Sequence, residues 1–291
     1  MLTVQNFLQS LHAACRYPSS LRTQRQRRHV DVKCGIIRAV EAAEVRCLLS
    51  ASTLDSFPAN PGGSGGTGGV TGKMNPLTSI PKLNSLAGAA VTIYLDFDGH
   101  SESQDWPSQR TDGGTGPILT PVFDIDNDLT TFSDEELRMI EELWYRVAED
   151  YMPFRVNVTT VDPGVYNDFE AVLVSIGGAG TWFPGVGGVA FINSFSGVRS
   201  NTSYVFSDNT GRGGIDHMKG TALAASHEVG HMLGLDHHAV YDANGNQTAG
   251  YDPGTPTLGP IMGAPYGSLR ETWNNGPDTR SATSFQLDLD M

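Results

Sequence analysis

The 291-residue chain predicts an α+β protein, and three observations carry that expectation. Five short segments between residues 90 and 206 have the β-branched and aromatic composition of strands. Ser133-Asp-Glu-Glu136 opens an amphipathic run with helical spacing. A further helical stretch from about Met218 leads into a cluster of histidines at positions 227, 231, 237 and 238.

Before those elements comes a stretch of different character. Residues 1–51 hold all three cysteines (Cys15, Cys34 and Cys47), and residues 1–50 hold eight Lys or Arg against three Asp or Glu. From Arg22, Arg25, Arg27 and Arg28 the chain runs to Leu48-Leu49-Ser50-Ala51, the basic, apolar, small-residue order of a targeting peptide. Arg38, Glu41, Glu44 and Arg46 interrupt its apolar part. The stretch resembles leaders ending in Leu-Leu-Ser-Ala on some bacterial exported proteins, which implies a secreted or cell-surface location; a disordered basic tail is the other reading. Lys33-Cys34-Gly35 does not fit the surroundings of a thiolate latency switch. Residues 52–88, with Pro61-Gly-Gly-Ser-Gly-Gly-Thr-Gly-Gly69 within them, read as a flexible linker, so a single folded domain is expected over 89–291.

Within that domain Ala90 to Phe97 reads as the first strand, ended by Asp98-Gly99, and 101–121 as loop. The capping box at Ser133 starts a helix whose apolar face is Leu137, Ile140, Trp144, Val147 and Tyr151, stopped by Met152-Pro153. Asp124, Asp126 and Asp128 precede it with the spacing of a calcium loop, and Glu135 falls at the twelfth position. Leu129 stands where such a loop needs glycine, which argues against an EF-hand and leaves a looser calcium site or an acidic turn facing the helix dipole. Phe154 to Val161, Ala171 to Ile176, Val189 to Asn193 and Ser203 to Phe206 supply the remaining strands, with the glycine-rich span Gly177 to Gly188 a long loop.

His227 to His238 reads His-Glu-Val-Gly-His-Met-Leu-Gly-Leu-Asp-His-His. On a helix His227 and His231 lie about 6 Å apart along the axis on one face and can share a metal. Glu228, turned by about 100°, flanks that site and suits a general base. His237 would be rotated roughly 120° from His231 if the helix continued, so the helix must stop, and Gly234 is the residue able to turn it. Three histidines leave one tetrahedral position of zinc open, the catalytic arrangement. The five fixed residues of H-E-x-x-H-x-x-G-x-x-H would coincide by chance on the order of once in 10⁴ to 10⁵ chains of this composition. His238 reads as a surface residue or a support to the site, and Asp236 and Asp242 as acceptors for a ligand imidazole or solvated loop residues.

This motif, with Pro260-Ile261-Met262-Gly263 downstream, resembles the metzincin zinc metallopeptidases over roughly residues 89–291. The resemblance implies a twisted, mixed, five-stranded sheet, an active-site helix and a small irregular C-terminal subdomain. It also implies zinc on His227, His231 and His237, Glu228 as general base toward a metal-activated water, and Met262 as an apolar floor. The strand at Val189 would be the sheet edge that takes bound peptide by β-augmentation. Tyr266, four residues past Met262 rather than two, is a candidate oxyanion or metal contact; Trp273 reads as core. A closing C-terminal helix is implied, and Ser281 to Met291 would supply only a short one, so a truncated chain is an expectation.

Residues 51–291 carry 11 basic against 29 acidic side chains, which disfavours nucleic acid and anionic membranes as partners. No run reaches a membrane-spanning length. A monomeric zinc endopeptidase acting on protein or peptide is therefore expected, with calcium as a second candidate ion. The alternatives are a catalytically silent, zinc-stabilised binding or adhesion module of the same fold and a calcium-dependent structural protein.

Overall fold

The computed structural model describes residues 73–210 and 216–291; the leader-like stretch, the cysteines and the glycine-rich linker lie outside the described residues. In chain order the elements up to the histidine helix are β1 (Met74–Pro76), β2 (Val91–Asp96), β3 (His100–Glu102), β4 (Ile118–Thr120), β5 (Thr131–Ser133), α1 (Asp134–Asp150), β6 (Val156–Thr159), β7 (Ala171–Ile176), β8 (Gly188–Val189), β9 (Thr202–Val205), the single turn α2 (Ser207–Thr210) and α3 (His217–Met232). The fold is α+β, with a mixed five-stranded sheet in the order β6-β2-β7-β9-β8. Four strands run parallel, and the edge strand β8 pairs antiparallel with β9.

Strand alternation divides the core in two. Ile93, Leu95, Val172, Val174, Ile176 and Val205 point to one face, where they meet Ile140, Leu143 and Val147 of α1 and Ala222, Ala225 and Val229 of α3. On the other face Tyr204 packs with Trp106, Trp182, Phe191 and Phe206. A sheet covered on both faces explains why β7 is apolar without alternating: all six of its residues are buried.

α1 begins as its sequence predicts. Ser133 Oγ accepts from the Glu136 amide at 3.2 Å, and the Glu136 carboxylate accepts from the Ser133 amide at 2.7 Å, the reciprocal capping box. At its other end Tyr151 Oη donates to Ser226 O (2.9 Å), and Trp273 Nε1 donates to Asp150 O (2.6 Å), so the buried Trp273 is core as expected.

Three expectations are corrected. The packed body reaches N-terminal to Ala89: β1 pairs with β5, and Leu83 and Ser85 hydrogen-bond the Val158 to Thr160 segment. The 101–121 loop contains the hairpin β3–β4, whose three-residue strands are too short to show periodicity. The C-terminus forms no α-helix; after Leu233 the chain makes short strands β10 (Val240–Tyr241), β11 (Gln247–Ala249), β12 (Leu258–Pro260), β13 (Arg270–Thr272), β14 (Asn275–Pro277) and β15 (Phe285–Leu287), then a 3₁₀ turn at Asp288–Asp290. No helix among the described residues is long and apolar enough to cross a membrane.

Candidate metal centre

α3 is capped by Asp216, whose side chain accepts from the Lys219 amide at 2.9 Å. From Gly220 to Met232 all of its residues are buried, and small ones let it lie close to its neighbours. At Gly230 an added Cβ would meet Met262 Sδ at 2.5 Å. The helix stops as the motif requires. Gly234 adopts φ +106°, its N–H donates to His231 O (2.9 Å), and Leu235 N donates to Gly230 O (3.0 Å), a Schellman termination.

That turn returns His237 to the helix. One ring nitrogen each from His227, His231 and His237 lies within 4.8 Å of the others, a group able to hold a metal ion, and the Nε2 atoms of His231 and His237 are 2.8 Å apart. His227 Nδ1 lies 2.7 Å from Ile261 O and His231 Nδ1 lies 2.8 Å from Leu235 O. A carbonyl only accepts, so each Nδ1 carries the proton and each Nε2 presents its lone pair. Burial keeps both imidazoles neutral, pulling His227 down to about 4 and His231 down to about 3. Tautomer and protonation are thus those that a metal ion needs. Asp236 faces Arg280 at 3.3 Å, and Asp242 caps its own turn through the Asn244 and Asn246 amides.

Glu228 is buried beside the histidines, and burial alone pushes its carboxyl up to about 8. A cation on the three nitrogens would act in the opposite sense. The edge strand presses on it, since a Cβ at Gly188 would lie 2.7 Å from Glu228 Oε1. Met262 is fully buried under the helix, and its carbonyl accepts from the His238 amide at 2.8 Å. Tyr266 is partly exposed, its hydroxyl beside Gly187; burial and the Glu228 charge raise its pKa, so it lies within electrostatic reach of the base.

Several site neighbours carry no local sequence signal. Tyr251 packs against His237 with ring centroids 4.0 Å apart and the planes tilted by 34°. His238 is buried rather than at the surface, with Nε2 3.0 Å from Asp288 Oδ2. Gln286 Nε2 donates to Asp236 O at 2.9 Å.

The candidate calcium set is rearranged. Asp124 and Asp126 group with Glu136, whose carboxylate already accepts from Ile125 N and Ser133, while Asp128 turns away to accept from Thr130 and Thr131. Glu135 pairs with Arg138 instead of closing a loop. A polar cavity of about 390 Å³, lined by His100, Glu102, Asp105, Tyr166 and Asn201, includes none of the metal-centre residues.

Comparison with protein-family models, curated proteins and solved structures matches none of them.

Proposed function

We propose that the chain is a zinc-dependent endopeptidase of the metzincin class, hydrolysing peptide bonds in proteins. The observation that carries this is the convergence of three imidazoles, two of them kept neutral by burial, beside the buried glutamate of the histidine helix. Three imidazole donors, two of them with Nδ1 protons held by backbone carbonyls, fit zinc, with His227, His231 and His237 as its ligands. Zinc, when bound, supplies Lewis acidity that acidifies water and polarises a carbonyl. Glu228 then accepts the water's proton and delivers it to the leaving amine, a role suited to a carboxyl whose burial raises its basicity.

Substrate would lie along β8, whose outer edge has no strand partner in the sheet. Gly187 and Gly188 leave room for its backbone beside Glu228, and Tyr266 is the candidate donor to the developing oxyanion. Met262 supports the centre from below by packing against Gly230.

Zinc-loaded full-length chain should cleave a denatured protein, and Glu228→Ala should lower kcat about 10²- to 10⁴-fold with zinc retained. Full activity in zinc-loaded Glu228→Ala would exclude Glu228 as the base. Silence in a folded, zinc-loaded wild type would favour the binding module.

A further inference from the structure

We propose that Gln286 and Asp288, on β15 and the turn that follows it, are the positioning residues that hold His237 in the metal centre; the assignment rests on the metal-site reading above.

His237 is the ligand least able to hold itself. His227 and His231 are fixed by a helix buried on all sides, whereas His237 is partly exposed in the loop after Gly234. The residue on each side of it is gripped by one side chain from the end of the chain. Gln286 takes both backbone groups of Asp236: Asp236 N donates to Gln286 Oε1 (2.7 Å), and Gln286 Nε2 donates to Asp236 O (2.9 Å). Asp288 takes His238, with His238 Nε2 3.0 and 3.1 Å from its two oxygens. The two clamps are joined, because Gln286 Nε2 also donates to Asp288 Oδ1 at 3.0 Å. Asn274 N anchors Asp288 Oδ2 at 2.9 Å, and Thr279 N donates to the carbonyl of His237 itself at 3.1 Å.

The burial pattern agrees. Gln286 and Asp288 are 7% and 0% exposed, while Phe285, Leu287 and Leu289 between and beside them are 63%, 44% and 48% exposed. The alternation of the strand is inverted, with polar side chains inward and apolar ones in solvent. Exposing three large apolar groups is unfavourable by itself; the hydrogen bonds made inside offset that cost. The bonds of Asp288 to His238 and Gln286 are buried, where an unmade partner is costly, and with the part-buried bonds to Asp236 they give the loop one well-defined position. Partners hydrogen-bonded directly to a metal's ligands typically change its affinity by about 10- to 100-fold when lost; the clamp acts one residue further out, through the backbone on both sides of His237.

The test uses the full-length chain loaded with Co²⁺ as spectroscopic probe. It compares wild type, Gln286→Ala, Asp288→Asn and, as a control, Val158→Ala, which opens a gap in the core away from the site. Release of metal to a chelator and the cobalt absorption spectrum are recorded at temperatures matched for equal distance below each Tm. Gln286→Ala and Asp288→Asn should release metal at least 10-fold faster than Val158→Ala and show an altered cobalt spectrum. Gln286→Ala leaves no buried charge without a partner, so it gives a result even where Asp288→Asn does not fold. Release and spectrum equal to those of Val158→Ala would overturn the clamp while the metal reading stands. A wild type that takes up no Co²⁺ would overturn both. Fast release in Gln286→Ala from a chain that cleaves no peptide would support the clamp and count against the peptidase.

Discussion

The sheet with its two long helices, residues 91–232, and the segment that follows, residues 233–291, are held together by different physics. In the first, aliphatic and aromatic side chains from five strands fill a continuous interior against α1 and α3. In the second, no strand exceeds three residues, and of its buried side chains only Leu235, Ile261, Met262 and Trp273 join that interior, with Leu233 and Met291 packed at its margin. Its buried positions include instead His238, Ser268, Asp278, Gln286 and Asp288. Apolar packing is non-directional and tolerates small adjustments of position. Hydrogen bonds to buried carboxylates and amides are directional, so they fix where a loop lies. The candidate metal centre draws two of its histidines from the first region and one from the second.

The comparison can be broken most forcefully in the hydrocarbon region. Ile140→Ala, at a fully buried position of α1, should destabilise by about 2–5 kcal/mol. Urea unfolding would measure that loss, and the cobalt spectrum of the folded fraction should stay unchanged. A spectral change would show that the two regions are not separable. Next comes the contact between the sheet edge and the glutamate. Gly188→Ala places a carbon 2.7 Å from Glu228 Oε1 and 2.9 Å from Tyr204 O, and should lower kcat by roughly 10²-fold, as a displaced general base does. Zinc content by atomic absorption should remain stoichiometric.

A smaller effect is expected at the junction. Gly234→Ala must hold φ +106°, a cost of about 1–2 kcal/mol for an L-residue. Thermal unfolding would register it, together with faster metal release because His237 follows the turn. The smallest effect is a pH dependence. Burial, with Glu271 and Glu149 adding to it, pushes the Asp150 carboxyl up to about 7 from its ordinary 3.8. The folded state therefore prefers the protonated acid: the contribution is complete below the unfolded value near 3.9 and is lost as pH rises toward 7. Asp150→Asn keeps an acceptor for Ser226 Oγ and cannot ionise. It should match wild type at pH 4 and exceed it by about 1 kcal/mol at pH 8, read as a growing Tm difference. Equal Tm at both pH values would place the charged carboxylate in water.

The first region was legible because its signals are local. β-Branched and aromatic composition marks β2, an unbroken apolar run marks β7, helical spacing marks α1, the capping box marks where α1 begins, and Gly234 marks where α3 must end. The strand expected over Val189 to Asn193 survives only as Gly188–Val189, since the composition of Phe191 serves the second core rather than a ladder. The other region was illegible for reasons that can be named. The acceptors that orient His227 and His231 are backbone carbonyls, which no residue type encodes. Gln286 and Asp236 are fifty positions apart, and Phe285 to Leu289 reads apolar-inward when the opposite holds. His238 reads as a surface residue or a support to the site because its partner, Asp288, lies fifty positions on, in a segment that reads as a short helix.

The distance between the clamp and the loop it grips also sets an order of events. Chains grow at roughly 5–20 residues per second, so the ribosome completes His237 roughly 3–10 s before it adds the residues that grip Asp236 and His238. During that interval a nascent chain carries the whole histidine motif without the residues proposed to hold His237. On the clamp proposed above, a firm hold on His237 would be deferred until those residues have been added. Stalled nascent chains ending before and after Asp288, assayed for metal retention, would time that step.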